Sequence, residues 1–177
     1  MKKISLSFLL LVTVLGLVAA ASPRVSRTSL RAMEKSLDER ISALWTDVPY
    51  LLIGPTRGVY LDGFGAVFTA EVNLVANPTS LMHAKADKSD VVRARQLKLE
   101  RIPLLKKALR DALVSTAASL DTVPNEEQIA IVAFIDHYPW EDVTGMPAQV
   151  MVQAQKGKLL EAQRAGTADS VIRVTEN

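Results

Sequence analysis

The chain has 177 residues, of which 49% are hydrophobic and 23% are charged, and it contains no cysteine. This composition excludes a collagen-like repeat, a disulfide-stabilised miniprotein and a fully disordered chain. The lack of cysteine also excludes thiolate zinc sites and cysteine nucleophiles. The length predicts a single domain with a sizeable core.

The first 21 residues have the pattern of a secretory signal peptide. Two lysines precede an apolar run over 4–18, and three alanines at 19–21 end the run with small side chains of the kind that signal peptidase recognises. We predict cleavage between Ala21 and Ser22, which sends the mature chain to the periplasm or outside the cell. The alternative is a retained membrane anchor, since the run is only just long enough to cross about 30 Å of hydrocarbon.

Removal of this segment balances the charge of the chain. Lys2 and Lys3 are the only charged residues among the first 21, so 19 of the 21 basic residues remain beside 19 acidic ones. A balanced chain has no long-range attraction to nucleic acid or anionic lipid. We therefore expect no nucleic-acid partner, and membrane contact only through the signal segment before its cleavage.

The first predicted elements are a helix and a hairpin. After a flexible lead-in over 22–27, apolar residues recur at steps of three and four from Leu30 to Leu44, which predicts an amphipathic helix of four or five turns. Pro49 ends it, because the residue before a proline avoids the helical region. Residues 66–76 alternate between apolar and polar, and with a short strand at 59–61 they predict a β-hairpin over 58–76.

The second half of the chain begins with a polar loop over 77–88 and a long amphipathic stretch that ends at Leu120. Pro103 lies within this stretch and predicts a kink or a division into two helices. The apolar run 129–135 predicts a central strand buried on both faces. Alternation over 148–154 predicts a strand with one wet face, 158–164 a short helix, and 171–174 a small final strand.

The order αββαββα predicts one α+β domain over 28–175. Its antiparallel sheet has about four strands, with an N-terminal helix, a long helix that is kinked or split at Pro103, and a short C-terminal helix.

Three segments carry a resemblance to other proteins. The runs GPTRGVYLDGFGAVF (54–68), PWED (139–142) and MPAQVMVQAQKGKLLEAQ (146–163) resemble uncharacterised exported proteins of soil-type bacteria. The resemblance covers most of the mature chain and implies secretion, without an assigned activity. The element order is also similar to that of roadblock/profilin-like sandwiches, a likeness of topology alone.

The most reactive cluster of side chains follows the predicted central strand. Acidic, imidazole and aromatic side chains lie together over 136–142, and the candidate catalytic or metal-ligating residues are Asp136, His137, Glu141 and Asp142. With one nitrogen ligand, such a site favours Ca²⁺ or Mg²⁺ over Zn²⁺. The alternative is a solvated loop that Trp140 holds against the sheet.

A second candidate lies in the hairpin, where Arg57 and Asp62 flank the short strand. A guanidinium and a carboxylate in these positions could recognise a ligand or form a local salt bridge. The polar face of the hairpin strand, with Thr69, Glu71 and Asn73, could also meet Gln149 and Gln153 of the later strand as a binding surface. The alternative is a face that is simply hydrated.

No enzyme signature is present, since the chain lacks a phosphate-binding glycine loop, a zinc-protease helix motif and a nucleophile elbow. Whether the protein is an enzyme is open, and the sequence favours a non-enzymatic binding or assembly module outside the cytoplasm. Such a module has a protein partner or self-associates, and no cofactor is expected. The alternative is a metal-assisted extracytoplasmic hydrolase that uses a divalent cation at 136–142.

Overall fold

The structure, a computed structural model, describes residues 25–45, 51–75 and 86–177. The predicted signal segment, the helix end at Pro49 and most of the polar loop over 77–88 lie outside these residues. The described elements, in chain order, are α1 (Arg27–Ser42), β1 (Leu51–Leu61), β2 (Gly65–Asn73), α2 (Lys88–Ser119), β3 (Gln128–Ile135), β4 (Gln149–Gln155), α3 (Lys156–Arg164), a 3₁₀ turn (Ala168–Ser170) and β5 (Arg173–Glu176).

The five described strands form one sheet in the order β1-β2-β3-β4-β5. The α+β class is confirmed, but the predicted sheet is corrected in two respects. It has five strands, and β2 pairs with β3 in parallel whereas the other neighbours are antiparallel. The parallel pair arises because α2 carries the chain back along the length of the sheet before β3 begins.

One face of the sheet forms the core with all three described helices. Alternate side chains of β2, β3 and β4 pack against apolar residues of the helices, among them Leu37 of α1, Leu109 of α2 and Leu159 of α3. The prediction that β3 is buried on both faces is wrong in the described structure. Its other face carries Val132, which is partly exposed, and Phe134, which is 42% exposed.

Helix α2 is one continuous helix of 32 residues with Pro103 inside it, so of the two predicted alternatives, a kink and a division into two helices, the division is wrong. Asp87 begins it with a capping box, in which its carboxylate accepts from the amides of Ser89 and Asp90. Pro103 is exposed, so its ring lies on the solvent side of the helix. Proline has no amide hydrogen to donate to the carbonyl one turn earlier. On the solvent side water can bind that carbonyl, which lowers the free-energy cost of a proline inside a helix.

Two glycines allow close backbone approach within the sheet. Gly65 begins β2 with φ of 129°, and a Cβ at this position would lie 1.9 Å from the carbonyl oxygen of Gln128. A Cβ on Gly58 would lie 2.6 Å from the ring of Phe68. The first glycine therefore permits the parallel pairing to start, and the second lets β1 close over the core.

Helix α1 covers the outer edge of β1 with two carboxylates one turn apart. Glu34 accepts a hydrogen bond of 2.8 Å from the amide of Gly58, and Asp38 accepts from the amide and hydroxyl of Thr56 at 2.9 and 2.6 Å. Arg27 pairs with Glu34 at 3.1 Å and donates to the carbonyl of Gly58 at 2.7 Å. These contacts satisfy edge groups that would otherwise be open to another strand.

Within the described residues, no helix combines the length and apolar character that crossing a bilayer requires.

We expect Glu34→Ala and Asp38→Ala each to lower the free energy of unfolding by about 1–3 kcal/mol, because each leaves a buried or half-buried edge amide without its acceptor. The control is Glu39→Ala on the same helix, where the ion pair of Glu39 with Lys35 is exposed. We expect that control to change stability by less than about 0.5 kcal/mol. Urea unfolding checks all three variants, and equal effects would contradict the role of the two carboxylates.

Candidate functional site

The loop that follows β3 carries the predicted site, and it lies against the N-terminal half of α2. Three cations of that helix, Arg95, Lys98 and Arg101, are spaced three residues apart and therefore share one side of the helix. We call them the basic row. Each contacts a different segment at the carboxyl end of β2 or β3, as described below.

Lys98 is the centre of the cluster and its side chain is fully buried. Its ammonium forms an ion pair with Oε2 of Glu141, donates to the carbonyl of Asp136 at 2.7 Å, and lies 3.1 Å from Nδ1 of His137. Nδ1 of His137 also lies 3.4 Å from Oε2 of Glu141, so the imidazole contacts both members of the ion pair. The buried ammonium thus has three polar partners within hydrogen-bond distance.

Burial lowers the pKa of Lys98, because desolvation outweighs the attraction of Glu141 and Asp136 that raises it. Both carboxylate oxygens of Glu141 have partners within the protein. Its side chain is only 3% exposed, and its second oxygen accepts from the amide of Tyr138 at 3.1 Å. The pair therefore binds the loop to the helix, and removal of either partner would leave a buried charge.

Arg95 and Arg101 extend this attachment to both sides. Arg95 donates to the carbonyl of Thr144 at 2.8 Å and pairs with the carboxylate of Asp142 at 3.4 Å. Hydrogen bonds from Thr144 and the charge of Arg95 lower the pKa of Asp142. Arg101 is buried, donates to the carbonyl of Leu74 after β2, and lies 5.0 Å above the ring of Trp45.

The structure brings His137 and Glu141 of the predicted site together, but it directs the other two carboxylates elsewhere. Asp142 turns to Arg95, and Asp136 is exposed, with only its carbonyl in the cluster. Among residues 25–45, 51–75 and 86–177, no group of three or more histidine, aspartate and glutamate side chains could hold a metal ion. The arrangement holds a loop in place and provides no coordination cage.

Two aromatic rings complete the loop. Tyr138 and Trp140 stack with their centroids 5.6 Å apart and their planes 9° from parallel. Both rings are partly buried, so the stack contributes to the packing of this loop.

Sequence reasoning did not identify Lys98. The residue lies on a helix that the sequence predicts from its apolar positions alone. The available signal was the spacing of 95, 98 and 101, which places three cations on one side near buried Ile102. Lysine and arginine are rarely buried without partners, so such a row predicts acceptors opposite it.

Arg57 and Asp62 are not brought together. No ion pair joins them, and Arg57 lies opposite Thr69 in the ladder, whereas Asp62 lies in the turn beyond the end of β1. The strand alone carries the chain about 13 Å from Arg57 to Leu61, before the turn with Asp62 begins. Arg57 instead lines a small cavity of about 190 Å³ with Gly54, Thr69 and Glu71.

The second predicted surface is the sheet face opposite the helices, which we call the open sheet face. The described side chains on it are Arg57, Val59 and Leu61 of β1, Val67, Thr69 and Glu71 of β2, Gln128, Ala130, Val132 and Phe134 of β3, Gln149, Met151, Gln153 and Gln155 of β4, and Arg173 and Thr175 of β5.

Apolar side chains occupy the middle of the open sheet face. Val132 lies between Thr69 and Met151, and Phe134 lies between Glu71 and Gln149. The polar residues of β2 and β4 therefore do not meet, because β3 separates them by two strand spacings, about 9.6 Å. Asn73 is buried and accepts from the amide of Val75, so it does not contribute to this face.

Comparison with protein-family models, with curated proteins and with solved structures finds no match. The resemblance to exported proteins thus stays a prediction. The functional proposal below is argued from the geometry of the described residues.

We expect Glu141→Gln to lower the free energy of unfolding by about 3–5 kcal/mol, because it leaves the ammonium of Lys98 buried without a counter-charge. Glutamine still accepts from the amide of Tyr138, so the loss reports the ion pair. Adding Lys98→Met to this variant should recover most of the stability. The matched control is Asp111→Asn, which breaks an exposed pair with Lys107 on the same helix and should cost less than about 0.5 kcal/mol.

The pH dependence of Glu141→Gln identifies the group responsible. Without Glu141, the pKa of Lys98 in the folded protein falls further below 10.5, its ordinary value and that of the unfolded chain. Between these two pKa values the unfolded state binds more protons, so stability rises with pH. The destabilisation measured by chemical unfolding should therefore shrink as the pH is raised toward 10.5. A pH-independent loss, or no recovery in the double variant, would contradict this account of the cluster.

Proposed function

We propose that this protein is a non-enzymatic binding module that holds a partner protein on its open sheet face, in the periplasm or outside the cell. The observation that carries the proposal is a sheet face that no described segment covers, along which apolar residues run from β1 to β4. Val59, Leu61 and Phe134 are 49%, 47% and 42% exposed, Val67 and Val132 are partly exposed between them, and Met151 is partly exposed beside Val132 on β4. Contiguous exposed apolar surface of this kind marks sites of protein association.

The distribution of polar groups supports a protein partner. Glutamines and threonines border the apolar centre, and charges lie toward the ends, with Arg57 and Glu71 on one side and Arg173 on the other. An apolar core inside a polar rim is the usual anatomy of a protein interface. Two arginines and one glutamate on a broad face give too little positive potential to favour nucleic acid.

The engagement of the reactive side chains supports binding over catalysis. Lys98, Glu141 and Asp142 each form an ion pair that holds the loop against α2. An acid–base catalyst instead needs such a group within hydrogen-bond reach of a substrate. The proposal therefore assigns the loop after β3 a structural role at one end of the sheet and assigns recognition to the sheet face.

Photo-crosslinking in the cells that make the protein tests the open sheet face. With a photoreactive amino acid at position 134 or 59, we expect one discrete crosslinked product in each case, because both positions lie inside the proposed interface. The matched positions are Val92 and Leu104, which are 66% and 51% exposed on α2. Those two should give no product of the same size.

Phe134→Ser supplies the complementary loss-of-binding variant. It removes apolar contact area from an already exposed position, so its unfolding curve should stay close to that of the parent. It should reduce the product formed from position 59 at least about tenfold. Equal crosslinking from the sheet face and from α2, or none from the sheet face, would contradict the proposal.

Export is tested by the N-terminus of the protein recovered from the periplasm or medium. We expect its first residue to be Ser22, because the alanines at 19–21 form the cleavage signal. Substituting Ala19 and Ala21 by arginine should leave the leader uncleaved and the protein in the membrane fraction. Recovery of intact Met1 in soluble protein from the cytoplasm would contradict this prediction.

A further inference from the structure

The two outer strands of the sheet differ in the state of their free edges. A free strand edge exposes amide and carbonyl groups that can pair with another strand. On β1 three of these groups are occupied, since Glu34 and Asp38 accept from the amides of Gly58 and Thr56, and Arg27 donates to the carbonyl of Gly58. Helix α1 therefore blocks this edge with charged side chains.

The edge of β5 has no such cover among the described residues. Asn177 and Gln149 exchange both backbone hydrogen bonds, at 3.0 and 3.3 Å, so Thr175 and Arg173 are the next residues whose backbones face β4. The backbones of Val174 and Glu176 consequently point away from the sheet. Neither forms a backbone hydrogen bond on its outer side, and the Glu176 side chain is engaged below by Lys106 at 2.8 Å.

We propose that β5 pairs antiparallel with β5 of a second copy of this chain, through a two-fold axis that passes by Thr175. In this register Val174 of one copy lies opposite Glu176 of the other, so the four outward-facing groups of each strand meet the same four groups of its partner. The two sheets then form one continuous sheet, and their open faces lie side by side.

The side chains of β5 suit this register. Thr175 faces its own copy, a cross-strand threonine pair that favours a sheet. Arg173 faces Asn177 and Val174 faces Glu176, so no like charges lie opposite each other. The chain carries 21 basic and 19 acidic residues, and this near balance gives little overall repulsion between copies.

The small area of the proposed β5–β5 interface determines the affinity that we expect for the dimer. A four-residue strand buries little area, so we expect a weak dimer with a dissociation constant of about 10–100 µM. Sedimentation velocity of the purified protein between roughly 1 and 500 µM should therefore show a reversible monomer–dimer equilibrium. A protein that stays monomeric over this whole range overturns the proposal.

A pair of cysteine variants tests the register, and the natural chain contributes no competing thiol. Across the axis, two copies of Thr175 form a non-hydrogen-bonded pair with Cα atoms about 4.5 Å apart, a separation that a disulfide can bridge. We expect Thr175→Cys to form a disulfide-linked dimer under mild oxidation. In the same register two copies of residue 173 lie about 13 Å apart, so Arg173→Cys should stay monomeric under the same conditions. Equal crosslinking of both variants, or none at position 175, overturns the register.

A second pair of variants tests the backbone edge itself. Glu176→Pro removes an outward amide without removing a hydrogen bond to β4, and it should weaken dimerisation at least about tenfold. Glu176→Ala is the control, since it also loses the pair with Lys106 but keeps the amide. Equal dimerisation of the two variants contradicts the proposal.

Amide hydrogen exchange of the natural protein tests the same backbone edge without the proline variant, so its outcome does not depend on whether that variant folds. In the natural sequence, the amides of Val174 and Glu176 should become protected as the protein concentration rises through the dissociation constant. Exchange that does not depend on concentration contradicts the proposal. The proposed contact uses the edge of β5 and leaves the open sheet face free. Phe134→Ser should therefore dimerise as the parent does.

Discussion

The parallel pairing of β2 with β3 is the constraint on which the rest of the structure depends. Two parallel neighbours need a connection that crosses the sheet, and here the connection is α2, a single helix that lies on one face. Helices α1 and α3 pack beside it in the same core. All of the described helices therefore pack on one face of the sheet. The other face of the central strand β3 is left in contact with solvent.

Buried or half-buried charges then attach each helix to a specific piece of backbone. The carboxylates of α1 bind amides of β1, and the basic row of α2 binds carbonyls and carboxylates at the ends of β2 and β3. At the start of α3, Lys156 donates to the carbonyls of Leu120 and Val123 at 2.8 and 2.7 Å, where α2 ends. Such contacts are directional, so they set how the helices sit on the sheet, whereas the apolar core supplies the burial that makes folding favourable.

Local periodicity predicted the elements whose residues alternate regularly. The strand over 148–154 and the short helix after it are confirmed within two residues, because alternation and helical spacing are properties of the neighbouring sequence. Strand β1 was underestimated, because its register shifts between Leu52, Gly54 and Arg57 break the alternation. For helix α2 the sequence left a kinked helix and two separate helices open, because a proline on the exposed side of a continuous helix cannot be told by sequence from one that ends a helix.

Features that depend on distant parts of the chain were beyond this reasoning. The apolar run of β3 predicts burial on both faces, and only the arrangement of the helices shows that Phe134 is exposed. The loop over 136–142 was identified as a cluster, but its partner Lys98 lies about 40 residues earlier on another element. Neither a parallel pair nor a buried ion pair between distant elements has a local pattern.

Cysteine accessibility tests the uncovered face most directly, since the chain has no thiol of its own. Single cysteines at Thr69 and Phe134 lie on the open sheet face, and cysteines at neighbouring Ala70 and Ala133 lie in the core. In the folded, isolated protein a maleimide should modify the first two within about tenfold of the unfolded rate, and the second two only as fast as the protein opens. Strong protection at positions 69 and 134 would mean that this face is covered, and it would contradict the account.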